Sequence, residues 1–196
     1  MLLDEAQVRA RGNYLKQKFG KNARGIANEQ LQRPQTHYDI FLSHASNDQE
    51  IILGIYDILS DNGFDVFVDW IEAPHTDRSQ VTVENAEFIR QSMSKSASML
   101  VADSRNAEES KWICWEVGSF DGYGPIGIVR LSDNPPQASG REFLELYPQV
   151  SIDNTSQLIV AQSPLRPKLK TATAATRRSQ PLREWIKKPD PDLKAF

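Results

Sequence analysis

Short apolar runs that alternate with helix-period segments constrain this chain more than any other feature. Tyr38-Asp39-Ile40-Phe41-Leu42-Ser43 is a nearly continuous apolar strand, the pattern expected when both faces of a sheet are covered. Residues 64–69, 98–102 and 126–131 read the same way, and Val150-Ser151-Ile152 is a shorter candidate fifth strand. Between them lie helical periodicities. Ile51, Ile52, Ile55, Ile58 and Leu59 mark one helix, capped by Ser46 or Asn47 and stopped at Asn62-Gly63. Val83, Ala86, Ile89 and Met93 mark a second, over 81–95. A third carries Ile113, Val117 and Phe120. Strands alternating with helices at this spacing predict an α/β, flavodoxin-like parallel sheet of about five strands with helices on both faces. Ligands of such sheets bind beyond the C-terminal strand ends. Those ends are Ser43-His44-Ala45, Asp69-Trp70 and Asp103-Ser104.

Outside this pattern the chain divides into a 1–36 extension and linker, the 37–160 body and a basic 161–196 segment. The extension has one weak helix, roughly 3–19, with Val8, Leu15 and Phe19 on one side and Gly12 weakening it. The last segment has a small helix near 182–188, opened by Pro181 and carrying Leu182, Trp185 and Ile186. Charge follows the same division: +4 in the first part, −13 in the body and +6 in the last. An acidic body with basic ends argues against nucleic-acid binding and is compatible with head-to-tail contact between copies. No apolar run approaches the ~20 residues of a membrane span, and the N-terminus lacks the pattern of a secretory signal. The single cysteine, Cys114, is expected as a small packed helix residue in a cytoplasmic protein.

Several chemistries are disfavoured by position. Gly122-Tyr-Gly124-Pro-Ile-Gly127 matches G-x-G-x-x-G, but a helix precedes it and a strand follows, the reverse of a dinucleotide fingerprint. It reads as a helix stop and turn. Ser43 and His44 are neighbours in a strand and point to opposite faces, so they form no simple nucleophile–base pair. His37, His44 and His75 have no metal-ligand spacing, and no metal site is expected. A phospho-receiver would want an acidic pair after the first strand, where Ser-His-Ala-Ser stands.

What remains is Ser110-Lys-Trp112-Ile-Cys-Trp-Glu116. Trp112 and Glu116 lie one helical turn apart and share a face, read here as separate from the apolar stripe of Ile113, Val117 and Phe120. An acid beside an indole suggests a site for a flat cationic ring next to a cleavable bond.

Four motifs in order resemble Toll/interleukin-receptor (TIR) domains of the bacterial, NAD+-cleaving kind found in Thoeris-like antiphage systems. They are Asp39-Ile-Phe-Leu-Ser-His-Ala-Ser-Asn-Asp48, Gly63-Phe-Asp-Val-Phe-Val-Asp69, the passage from Arg90 to Ser104, and the S-x-W-x-x-x-E segment at 110–116. The resemblance covers about residues 37–152. It implies a catalytic glutamate at Glu116 and an aromatic partner at Trp112. It implies a pocket wall at Ser43, His44 and Ala45, and a loop begun by Asp69 and Trp70 that touches a neighbouring protomer. Animal enzymatic relatives carry basic residues where Ala45 and Ser46 stand, a departure that bears on the nucleotide phosphate contacts.

Chemistry supports that expectation. Nicotinamide in NAD+ is already cationic and leaves as a neutral ring, so one carboxylate can serve where ordinary glycosidases use two. Glu116 would orient the ribose and stabilise an oxocarbenium-like transition state. Trp112, or else Trp70, would hold the pyridinium by cation–π attraction of roughly 0.5–2 kcal/mol. The expected activity is NAD+ glycohydrolase or ADP-ribosyl cyclase, with NAD+ as substrate and no cofactor. Expected partners are copies of the chain, meeting through the 70–80 loop, and a separate effector reached through the product. The alternatives are a non-catalytic TIR adaptor and a nucleoside deoxyribosyltransferase-like enzyme.

Overall fold

The computed structural model describes residues 2–18, 36–72, 81–110, 112–131, 142–163 and 179–193. Helix α1 (Glu5–Lys18) precedes strand β1 (Tyr38–Ser43), α2 (Gln49–Asp61), β2 (Val66–Phe67) and the four-residue α3 (Asp69–Glu72). Helix α4 (Val83–Ser94), β3 (Ser96–Asp103), α5 (Ile113–Phe120), β4 (Ile126–Arg130) and β5 (Gln149–Ile152) follow. The chain continues through β6 (Leu158–Ala161), β7 (Ser179–Pro181) and α6 (Leu182–Lys187).

Among the described residues one seven-stranded sheet runs in the order β2-β1-β3-β4-β5-β6-β7. The pairs from β2 to β5 are parallel, as alternation predicts, while β6 and β7 add antiparallel at one edge. The expected five strands are therefore seven. The second strand is shorter than the 64–69 expected: only two residues pair, and Asp69 already starts α3.

Strand alternation splits the core into two layers. Ile40, Leu42, Leu100, Ala102 and Val129 face α1, α2 and α6, packing with Ile52, Ile55 and Trp185. Phe41, Met99, Val101, Ile126 and Ile128 face α4 and α5, packing with Ile89, Met93, Val117 and Phe120. Residues at odd positions of β1 and β3, and at even positions of β4, thus point toward α5. At the C-terminal strand ends these are Ser43, Asp103 and Arg130.

Three expectations for the helices need correction. Asp48, not Ser46 or Asn47, stands at the start of α2, and its carboxylate is used elsewhere. Val83 opens α4 at 81% exposure rather than on its core face, which Ile89 and Met93 supply. Cys114 is exposed, because α5 turns Ile113, Val117 and Phe120 inward and leaves position 114 outside.

Both ends of the chain pack onto the sheet layers. Helix α1 buries Val8, Gly12 and Leu15 against α2; Phe19 lies outside the described residues. A Cβ on Gly12 would fall 1.9 Å from the Glu50 carbonyl oxygen, and one on Gly54 would fall 2.0 Å from that of Val8. Gly12 is therefore where the two helix backbones touch, not a mere weakness in α1. At the other end, Trp185 of α6 is fully buried and its indole N–H donates to the Leu193 carbonyl at 3.2 Å. Arg183 donates to the carbonyls of Asn62 and Gly63 and lies over the Phe64 ring. Gly63 itself has φ +75°, the left-handed conformation that ends α2.

Candidate active site

The C-terminal end of β1 divides two groups of polar residues between the faces of the sheet. Ser43 points toward α5. Its hydroxyl donates to Glu116 Oε2 at 2.6 Å, within the range for a charge-assisted bond to a carboxylate. Glu116 has no exposed surface, and Ser43 is 1% exposed. The Glu116 backbone N–H donates to the Trp112 carbonyl at 2.8 Å, so both residues sit in the first turn around α5. With 100° per residue, Trp112, Ile113, Glu116, Val117 and Phe120 fall within an arc of roughly 140°. All five are buried. The acid therefore lies inside the apolar stripe of α5, not on the separate face expected. A carboxylate in that position costs folding free energy unless it is hydrogen-bonded, and Ser43 supplies such a bond.

His44 points the other way. Its Nδ1 lies 2.8 Å from the Leu42 carbonyl, and the Trp70 indole N–H donates to its Nε2 at 2.8 Å. Asp69 Oδ1 is 3.2 Å from the same Nε2, and both residues are buried. An indole N–H directed at Nε2 fits the tautomer with its proton on Nδ1, whereas the Asp69 carboxylate on that same nitrogen fits a proton on Nε2. Ala45 is buried at the strand exit, where its carbonyl accepts from the Asp48 N–H at 3.1 Å.

Ser43 and Glu116 are thus brought together on one face, and His44, Asp69 and Trp70 on the other. Trp112 is buried with its ring edge-on to Trp115, centroids 5.5 Å apart. Trp115 also carries the Arg90 guanidinium 5.3 Å from its centroid. The expected self-association loop falls largely on residues 73–80, outside the described residues.

Two further groups escaped the sequence reading. Buried Asp48 accepts from the Ser104 hydroxyl and, at 2.6 Å, from Asn106 Nδ2, tying the loop after β1 to the loop after β3. Arg130, 7% exposed, donates through Nε to Asp103 at 3.0 Å and pairs through Nη2 with Glu145 at 2.5 Å. Burial opposes its charge, but the bonds to Glu145 and Asp103 outweigh that and hold the guanidinium above its ordinary value. An arginine closing an apolar strand, beside an aspartate closing the previous one, was the available signal. Asp48 lay within the quoted motif, but its partners are 56 and 58 residues away. Among the described residues no cluster of three His, Cys, Asp or Glu is arranged to hold a metal ion.

The first and third strand ends are therefore locked together around a buried acid with a hydroxyl on it. The carboxylate has no exposed surface, so a substrate entering over the sheet edge reaches it only by displacing what covers it.

Residues 40–159 match the family model for the TIR domain. Over 117 residues the chain is 41% identical to the probable 3' cyclic ADP-D-ribose synthase ThsB' of Bacillus cereus (strain MSX-D12). That alignment takes in 58% of this chain and spans 61% of the relative's length. A solved structure, the TIR domain of the Toll-related receptor TRR-2 from Hydra magnipapillata, aligns with a TM-score of 0.40 and 17% identity. It covers 53% of this chain and 77% of that one.

Proposed function

The chain belongs to the TIR domain family, and from that premise we propose that it cleaves NAD+ at the bond between nicotinamide and ribose. One observation carries the reading: Glu116 is fully buried in the core stripe of α5 with Ser43 hydrogen-bonded to it. A stability-driven sequence would place an apolar residue there, and a rule broken in the core points to chemistry. The name of the Bacillus cereus relative supports the same class of reaction.

In the proposed reaction the C1′–N bond breaks and its electron pair stays on the ring, which leaves as neutral nicotinamide. The positive charge passes to the ribose. Glu116 offsets that charge and orients the sugar hydroxyls, in a water-poor setting where one carboxylate acts strongly. Ser43 holds the carboxylate in place until the ribose hydroxyls compete for it. Trp112 or Trp70 holds the pyridinium before cleavage. Attack by water, with loss of its proton, gives ADP-ribose. Attack by a hydroxyl of the same molecule, likewise with loss of its proton, gives a cyclic isomer. A cyclic product would act as a signal to a separate effector in antiphage defence within the cytoplasm, and copies of the chain would associate through the 70–80 loop.

The test is product analysis by mass spectrometry after incubation of the protein with NAD+, beside Glu116→Gln. The wild type should release nicotinamide with ADP-ribose or a cyclic isomer. Glu116→Gln should lose about 10²–10³-fold in rate, the range for removing one electrostatic stabiliser. Turnover that survives in the variant removes Glu116 from the mechanism. Self-assembly of the wild type without nicotinamide release across a range of protein concentrations identifies a non-catalytic adaptor.

A further inference from the structure

We infer that Leu15 of the N-terminal helix α1 positions Trp70, and that docking of α1 on α2 thereby sets the affinity for substrate. The step from position to affinity rests on the NAD+-cleaving reading; the positioning itself does not.

The seat of α1 is built closely. The helix backbones touch at Gly12 and Gly54, with no room for a Cβ on either. Polar pairs flank the crossing: Arg11 with Asp57 and Asp61, and Lys16 with Glu50 at 2.5 Å. Val8 enters the main core. One turn past the crossing, Leu15 and Leu53 form a small buried cluster of their own, and Trp70 packs against it.

Trp70 needs an outside support. It lies in α3, a single helical turn, too short to hold its own conformation. Buried Ile71 anchors that turn to the main core, and the Trp70 side chain packs against the same cluster. Two further contacts fix the indole. The Leu15–Leu53 pair supports its apolar body, and His44 Nε2 takes its N–H at 2.8 Å, with the two rings edge-to-face at 6.3 Å. His44 adjoins Ser43, the residue bonded to Glu116. A contact path thus runs from α1 through Trp70 to the end of β1. Leu15 is a positioning residue on that path and touches no reacting atom.

The experiment compares Leu15→Ala, Leu15→Met and Val8→Ala in the full chain. Each is read by NAD+ kinetics and by the ¹⁵N-resolved indole N–H resonance of Trp70, assigned with Trp70→Phe. Val8→Ala also removes buried volume from α1, but on the side facing the main core. Leu15→Ala should shift or broaden the Trp70 resonance and raise KM about fivefold, with kcat within twofold. Leu15→Met should restore both, because it nearly conserves volume. Val8→Ala, in the main cluster against which Trp70 also packs, should shift the resonance less than Leu15→Ala and leave KM within twofold. An unchanged indole resonance in Leu15→Ala overturns the coupling, as does an equal shift in Val8→Ala. A shifted resonance with unchanged KM overturns the link to affinity. Should the wild type release no nicotinamide, the NAD+ reading fails, while the resonance still decides whether α1 positions Trp70.

Discussion

Ser43 and Glu116 stand 73 positions apart in the chain and 2.6 Å apart in the fold, hydroxyl to carboxylate. Strand parity and helix phase both contribute. Ser43 is the last β1 residue pointing toward α5, and Glu116 is on the inward arc of α5. Neither residue would be buried for its own sake. Ser43→Ala should cost about 1–3 kcal/mol in urea unfolding, because a buried charged acceptor loses a donor. Replacing both partners, as in Ser43→Ala with Glu116→Leu, should bring stability back to the wild-type value or above it while abolishing NAD+ cleavage. A double variant as unstable as the single one would show that the acid has a structural role.

The triad of Arg130, Asp103 and Glu145 behaves differently, because it holds a charge of each sign in the interior. Removing the guanidinium alone leaves two carboxylates without it. Arg130→Met should therefore cost about 3–5 kcal/mol. Adding Asp103→Leu and Glu145→Leu should recover most of that loss, since apolar replacement of a whole buried ion group is often neutral. Chemical denaturation of the two variants makes the comparison.

The C-terminal helix is as firmly part of the fold as any central element. Trp185 has no exposed surface, and Gly127 of β4 lies so close that an added Cβ would be 3.4 Å from the indole. Trp185→Ala should cost about 3–5 kcal/mol in denaturant unfolding. Loss within 1 kcal/mol would mean that α6 is loosely held.

Periodicity made β1, β3, β4 and the helices between them legible, because residues buried on both faces leave continuous apolar runs. It could not reveal β7, whose Ser179-Gln-Pro181 is polar and becomes a strand only by pairing with β6. Leu158–Ala161 is a four-residue apolar run with no pattern of its own, defined by its antiparallel partners. Local reading also misplaced what depends on distant contacts. Asp48 is only the last residue of the first motif until Ser104 and Asn106 reach it. Gly12 looks like a helix flaw until α2 lies against it. Glu116 was found from a pair spacing, but its burial within the core stripe follows from the phase of α5 against the sheet.

That helix crossing gives a steric prediction. The Cβ of Gly54→Ala would fall 2.0 Å from a backbone oxygen of α1, which cannot turn aside as a side chain does. The helices must separate, at a cost near the upper end of overpacking, about 3 kcal/mol. Gly118→Ala is the control, since nothing lies within 4 Å of its added Cβ and helix propensity favours alanine. It should stabilise by up to ~1 kcal/mol. Thermal unfolding of both variants checks the contrast.

Acid should loosen α1 before it unfolds the sheet. The Lys16 ammonium, hydrogen-bonded to Glu50, holds that carboxyl below the ordinary glutamate value, with help from backbone hydrogen bonding and Arg9. A carboxyl depressed by folding contributes stability that is complete above its unfolded value and is lost as pH falls through its folded one. Docking of α1 should therefore be independent of pH near neutrality and weaken below the usual glutamate range. Glu50 and Lys16 are about a third exposed, so the effect is modest and should shrink in high salt. Hydrogen exchange of α1 amides, followed downward in pH, should show the opening. Glu50→Gln should flatten that dependence while leaving the amides of β3 and β4 as protected as before. An equal pH response in the variant would assign the loosening to another group.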